Sequence, residues 1–146
     1  MKVLVTGSQG FVGRNLIVLL QKLNGYEVLQ FDRENTEQEL MRALDSADYV
    51  VHLAGVNRPQ TADEFKTVNV DLTSRICSHL LGTGRAIPIL LSSSIQAELD
   101  NPYGVSKRQA EEVLTDYPRR SGARVAIFRL TNVFGKWWRP NYNSVV

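Results

Sequence analysis

Tyr103 and Lys107 stand four residues apart in the run Asn101-Pro102-Tyr103-Gly104-Val105-Ser106-Lys107. A helix starting near Pro102 sets both side chains on one face. An ammonium beside a phenol favours the phenolate and brings the tyrosine toward a useful range for proton transfer. Of the five tyrosines, only Tyr103 has a lysine four positions later. Shortly before it, Ser92-Ser93-Ser94 closes an apolar run. A hydroxyl at such a strand end can donate to a substrate carbonyl oxygen and stabilise the charge developing there. Each signal alone has a plain counterpart: a solvated helix face for the Tyr/Lys pair, and a strand end bonding to local backbone for the serines.

A second site lies at the start of the chain. Thr6-Gly7-Ser8-Gln9-Gly10-Phe11-Val12-Gly13 follows the apolar run Lys2–Thr6 and precedes an amphipathic stretch. Glycines in that setting allow a tight turn, a close approach of backbone to pyrophosphate and close helix–strand contact. The helix that follows points its unpaired N–H groups and positive dipole end at the phosphates. Asp32 falls 19 residues after Gly13, at the end of the next apolar run, where a carboxylate can accept from the adenosine ribose. Arg33 follows it and can instead pair with a 2′-phosphate. The two signals conflict, and an ordinary polar loop at a strand end is the third reading.

These sites need a scaffold that brings them to one edge. Short apolar runs at Lys2–Thr6, Tyr26–Phe31, Tyr49–Ala54, Ile87–Ser92 and Arg124–Leu130 alternate with helical patterns. That alternation predicts an α/β fold: a Rossmann-like, doubly wound parallel sheet with helices on both faces. Helical stripes run through Val12, Leu16, Leu19, Leu20 and Leu23; Leu40, Ala43 and Leu44; Phe65, Val68, Leu72, Ile76 and Leu80; and Ala110, Val113 and Leu114. From Phe31-Asp32-Arg33 the chain passes directly into a helical pattern, Thr36 to Ala47, so one edge strand is expected to be missing.

The chain has 146 residues, 43% of them hydrophobic, and a formal net charge of +2. This is one ordinary domain, with no call for nucleic acid or membrane as a partner. The lone Cys77 excludes an internal disulfide and fits a reducing compartment. Met1 leads straight into the first strand, so no signal peptide is expected and the protein is read as cytoplasmic. No metal site is expected. At the other end, adjacent Trp137 and Trp138 close a soluble domain poorly, as though a longer protein had been cut there. Beside Lys136 and Arg139, their rings can face a nucleotide base while the cations face a diphosphate.

The glycine loop, His52-Leu53-Ala54-Gly55, Asn69, Ser92-Ser93-Ser94, Tyr103-x-x-x-Lys107 and Arg129-Leu130-Thr131-Asn132-Val133-Phe134-Gly135 occur in an order that resembles the extended short-chain dehydrogenase/reductase family, also called the NAD-dependent epimerase/dehydratase family. The resemblance covers the whole chain. It implies a nicotinamide cofactor held by Gly7, Gly10, Phe11, Val12, Gly13, Asp32, Arg33, Leu53, Ala54, Gly55 and Lys107, with the His52–Gly55 stretch lining it. It also implies that Tyr103 donates or accepts the proton, that Lys107 binds the nicotinamide ribose and tunes Tyr103, and that a serine orients the reacting carbonyl. By position in the triplet that serine is Ser94, with Ser93 as the fallback. Asn132 would approach the substrate's phosphates, and Trp137, Trp138 and Arg139 would lie on the substrate side.

Within the family, dehydratases place Asp-Glu after the active-site hydroxyl residue, whereas Ile95-Gln96 follow Ser94 here. That leaves 4-keto reduction or 4-epimerisation. The pattern is similar to that of reductases acting on UDP-linked 4-keto-6-deoxy amino sugars in capsule and O-antigen synthesis, on the route to UDP-N-acetyl-L-fucosamine. It implies NADP(H) as the favoured cofactor, with NAD(H) possible, and a nucleotide-sugar partner, with a homodimer possible. A 4-epimerase with tightly held NAD and a non-catalytic NAD(P)-binding module are the alternatives. Two departures stand out. The segment between Ser94 and Tyr103 is short, lacking the family's Tyr-Gly, and the substrate domain is absent or truncated, with residues 132–146 as its beginning.

Overall fold

The computed structural model describes residues 1–61 and 63–137. Strands β1 (Lys2–Thr6), β2 (Glu27–Phe31), β3 (Tyr49–His52), β4 (Ile89–Ser94) and β5 (Val125–Leu130) form one parallel sheet in the order β2-β1-β3-β4-β5. The order reverses direction at β1, so β1 and β3 open a crevice at their carboxyl ends where an open α/β sheet receives its ligand. The expected gap is present: β2 is the sheet edge, and the chain returns from it through helix α2 (Glu37–Ser46) to the far side of β1.

Helix α1 (Phe11–Lys22) covers one face, where Ile17 packs on Val3, Val5 and Val51. Helices α2, α3 (Leu72–Gly82) and α4 (Pro102–Ser121) cover the other, burying Leu40, Leu44, Ile76, Leu80 and Leu114 on Leu4, Val50, Ile89 and Leu91. Helix α2 starts at a reciprocal capping box, in which Thr36 and Glu39 each satisfy the other's backbone N–H. In α4, the Asn101 side chain accepts from Gly104 N at 2.8 Å, Pro102 occupies the first turn, and Gly122 in the left-handed region ends it.

Three elements differ from the sequence pattern by more than one residue. β3 ends at His52, because the chain beyond bends over the glycine loop. β4 is shifted forward, so the three serines are inside the strand, paired with Phe128, Arg129 and Leu130 of β5. The long helical stripe is two elements: a π-helical segment, Phe65–Asp71, runs directly into α3. Such wide turns are rare and concentrate at functional sites. No helix among the described residues is long and apolar enough to cross a membrane. No group of three or more His, Cys, Asp or Glu among them could hold a metal ion.

Candidate active site

The glycine loop is shaped by backbone contact. Gly7 has φ +68°, and a Cβ there would lie 2.7 Å from Ala54 N. A Cβ on Gly13 would lie 2.3 Å from the Gly7 carbonyl oxygen. Glycine is the residue that lets helix α1 sit this close to the turn. Gly10, the N-cap of α1, has no side chain to cap it. The first-turn N–H groups are thus left for an anion. This cradle fits a pyrophosphate. Phe11 and Val12 are half-buried beside it, as are Leu53 and Ala54 after β3, while Gly55 is exposed.

Asp32 is tied to the same loop: Oδ2 accepts from Gln9 N at 2.7 Å and Oδ1 from its neighbour Arg33 N at 2.9 Å. Arg33 itself is exposed. Both residues therefore stand at the carboxyl end of β2 next to the turn, as expected, and the carboxylate also braces the turn.

The other half of the site is built on β4 and α4. Lys107 is 4% exposed and donates from Nζ to the Ser92 carbonyl oxygen at 2.7 Å. A Cβ on Gly55 would lie 3.5 Å from that Nζ, so the ammonium faces the loop that leaves β3. Burial pushes the lysine down to about 8, with the charge of Glu111 opposing the shift. Tyr103, one helical turn earlier, is half-buried with its ring centroid 6.2 Å from that of Phe65.

The serines separate by the strand's period of two. Ser93 is 4% exposed and its hydroxyl donates to Glu111. Ser94 is half-buried on the opposite side, and its Oγ accepts from Gln96 N at 3.2 Å. That bond uses a lone pair and leaves the hydroxyl proton for another acceptor. The short segment after Ser94 forms a 3₁₀ turn, Ile95–Glu98, pressed against the start of α4. A Cβ on Gly104 would come within 2.1 Å of the Gln96 carbonyl oxygen and 2.7 Å of that of Leu99.

A buried polar chain joins the two halves. His52 does not line the surface; it is 1% exposed beneath the loop, a correction to the sequence expectation. Its Nδ1 is 2.6 Å from Thr6 Oγ1 and its Nε2 is 2.9 Å from Thr73 Oγ1. Thr73 spends its proton on the Asn69 carbonyl at 2.9 Å. His52 must then donate from Nε2 and accept at Nδ1 from Thr6, which itself accepts from Ala54 N at 3.2 Å. The ring is a neutral tautomer, and burial, aided by the charge of Lys107, pushes its pKa down to about 3. Asn69 continues the chain. Its side chain bonds both backbone groups of Val56 and donates to Ser106 Oγ at 2.9 Å, and Ser106 donates to the Tyr103 carbonyl at 2.7 Å. Thr73, Ser106 and Glu111 escaped the sequence reading. Only Glu111 left a signal, one more step of four beyond Lys107.

Beyond β5, Asn132 and Trp137 are exposed. The segment carrying them returns from β5 to α1, where Asn15 Nδ2 donates to the Lys136 carbonyl at 2.9 Å. The Lys136 ammonium lies 4.7 Å from the Trp137 ring centroid, a cation–π contact. Trp138 and Arg139 lie outside the described residues.

The NAD dependent epimerase/dehydratase family model matches residues 3–145. A UDP-2-acetamido-2,6-beta-L-arabino-hexul-4-ose reductase of Pseudomonas aeruginosa is 56% identical over 146 residues, 100% of this chain and 39% of that protein. A GDP-6-deoxy-D-talose 4-dehydrogenase of Aggregatibacter actinomycetemcomitans is 30% identical, over 97% of this chain and 56% of that protein. Among solved structures, the capsular polysaccharide assembling protein CapF from Staphylococcus aureus matches with a TM-score of 0.86 and 46% identity, over 99% of this chain and 39% of that one. The chain thus spans roughly two-fifths to three-fifths of the length of these relatives.

Proposed function

The chain belongs to the NAD-dependent epimerase/dehydratase family, and on that footing we propose that it is the cofactor-binding, proton-transferring part of a reductase acting on the 4-keto group of a UDP-linked 6-deoxy amino sugar. The observation that carries this reading is the buried Lys107 ammonium, held at the end of β4 and facing Gly55, one helical turn from Tyr103. The identity to the P. aeruginosa reductase supports the substrate class.

The bound dinucleotide supplies a hydride donor. Everything else falls to the chain's own residues. The glycine loop and the uncapped first turn of α1 hold the pyrophosphate. Lys107 spends one proton on Ser92 and offers the others to the nicotinamide ribose. Ser94 donates a hydrogen bond to the substrate carbonyl oxygen and keeps its proton, while Tyr103 transfers the one proton that oxygen takes as charge develops on it. NADPH is the cofactor we assign, with the exposed Arg33 on its 2′-phosphate. The substrate-side segment starts at Asn132, and Lys136 with Trp137 present charge and a ring face to the nucleotide.

Tyr103→Phe in the intact protein tests the assignment. We expect kcat for 4-keto reduction to fall by about 10³-fold while NADPH affinity stays within roughly twofold, because the hydroxyl acts in the transition state and the ring only packs. Activity near wild type would mean that the proton comes from elsewhere.

A further inference from the structure

Helix α4 carries a third polar residue in step with Tyr103 and Lys107, the charged Glu111, which the proposed reaction does not use. Glu111 is 8% exposed. Its carboxylate accepts from Ser93 Oγ, and from Arg129 Nε at 3.0 Å and Nη2 at 2.7 Å. Arg129 sits directly across from Ser93 in the β4–β5 register, and its Nη1 reaches Glu98 Oε1 at 2.9 Å. Burial alone would raise the Glu111 carboxyl, but the bonds from Arg129 and Ser93 outweigh it and hold the group below the usual carboxylate range. A carboxylate this well satisfied is a fixed negative charge at neutral pH.

Lys107 needs such a charge. An ammonium taken out of water loses hydration, and its one bond here goes to a neutral carbonyl. Around it stand Tyr103 and Glu111 from α4, the neutral His52 from β3, and the uncharged Asn69 and Gly55. Arg129 and Glu98 reach this surround through Glu111. Glu111 is the one charge among the described residues that favours the protonated lysine.

We propose that Glu111 is a positioning residue for this site: through Ser93 and Arg129 it clamps α4 to the end of β4, and its charge keeps the buried Lys107 cationic so that Lys107 can hold the cofactor ribose beside Tyr103. The two anchors are one turn apart on the helix, Lys107 to the Ser92 carbonyl and Glu111 to the Ser93 hydroxyl. Consecutive residues of one strand thus fix both the height and the rotation of α4. The inference rests on Lys107 serving the reaction as proposed above.

The test reads the lysine proton directly. Intact protein carrying Tyr103→Phe, so that no phenol titrates beside it, is labelled with [13Cε]lysine, and the Lys107 resonance is identified by its loss in Lys107→Arg. Glu111→Gln keeps the shape and removes the charge; the Lys107 midpoint should fall by about one pH unit. Ser93→Ala keeps the charge and removes one bond; the midpoint should stay in place. Arg129→Gln exposes Lys107 to an unneutralised carboxylate, and the midpoint should rise, which keeps the test open if Glu111→Gln does not fold. An unmoved midpoint in Glu111→Gln, or in Arg129→Gln where it alone folds, overturns the proposal, as does a Ser93→Ala shift as large as that of Glu111→Gln. Failure of the parent reading has a different signature: Lys107→Met would retain 4-keto reduction, while the titrations would be unaffected.

Discussion

The glycine loop and helix α4 bring their residues to the same sheet edge by different means. The loop is made of backbone. Its shape follows from contacts that no Cβ would survive at Gly7 or Gly13, and what it presents is backbone N–H at the uncapped start of α1. Helix α4 is made of side chains. Lys107, Ser106 and Glu111 are placed by bonds to Ser92, Asn69 and Ser93, the Tyr103 ring lies beside that of Phe65, and each of these contacts can be removed singly. A backbone site tolerates any side chain that stays out of the way. A side-chain site depends on partners scattered through the chain.

Glycine gives the largest expected effects, and the difference between the halves shows in what is lost. Gly13→Ala forces a methyl to within 2.3 Å of the Gly7 carbonyl, so the loop must move. We expect a stability loss of about 3 kcal/mol and a cofactor affinity reduced roughly 100-fold, read by denaturant melts and calorimetry. Gly104→Ala meets the Gln96 carbonyl in the same way, but the displaced element is the 3₁₀ turn after Ser94. Its stability loss should be of similar size, on the order of 2–3 kcal/mol. Its kinetic loss should fall on kcat, with NADPH binding largely kept. Equal loss of NADPH affinity in the two variants would show that the halves are not separable.

The next effect tests the link between them. His52 is neutral and fully bonded between Thr6 and Thr73. Its folded pKa of about 3 lies below the ordinary value of 6.5. Above pH 6.5 folded and unfolded chains both carry a neutral ring, and pH leaves this contribution unchanged. Below that, the unfolded chain takes up a proton that the folded chain refuses until about pH 3, so stability falls as pH falls through the window. The slope approaches about 1.4 kcal/mol per pH unit for one proton. His52→Gln should flatten the decline between pH 7 and 5 measured by urea unfolding, at a cost of about 1–3 kcal/mol at pH 7. A variant that keeps the wild-type slope would assign the acid sensitivity to other groups.

This contrast also explains what the sequence made legible. Gly7, Gly10 and Gly13 could be read because a backbone site writes itself as local spacing, and Tyr103 with Lys107 because one helix carries both. The missing edge strand was legible as the short passage from Arg33 to Thr36. Glu111 was not singled out, because its meaning lies in Ser93 and Arg129, brought together only by strand pairing. The π-helical turn at Asn69 was hidden under a continuous apolar stripe: Phe65, Val68, Leu72 and Ile76 satisfy an α-helical pattern, and that spacing says nothing of the buried Asn69 side chain bonding the Val56 backbone. Ser93 and Ser94 could not be separated until the strand was seen to run through them.

The smallest effect concerns which cofactor the loop prefers. Asp32 and Arg33 are adjacent, yet the structure gives them unlike duties. Asp32 accepts from Gln9 N and Arg33 N and so belongs to the frame of the turn, whereas the Arg33 side chain is exposed beside it. Asp32→Asn weakens the frame under either cofactor, and affinities for NADPH and NADH should drop together by a few-fold, about 1 kcal/mol. Arg33→Ala removes a cation that only a 2′-phosphate can use. NADPH affinity should then fall about tenfold, the equivalent of about 1.4 kcal/mol, with NADH unchanged. An exposed ion pair is screened by salt, so the NADPH preference should also shrink between low and high ionic strength in the wild type and not in the variant. Calorimetry with both cofactors at two salt concentrations decides the matter. If Arg33→Ala leaves the NADPH-to-NADH ratio where it was, the arginine has no part in the choice, and Asp32 moves from framing the turn to selecting the ribose.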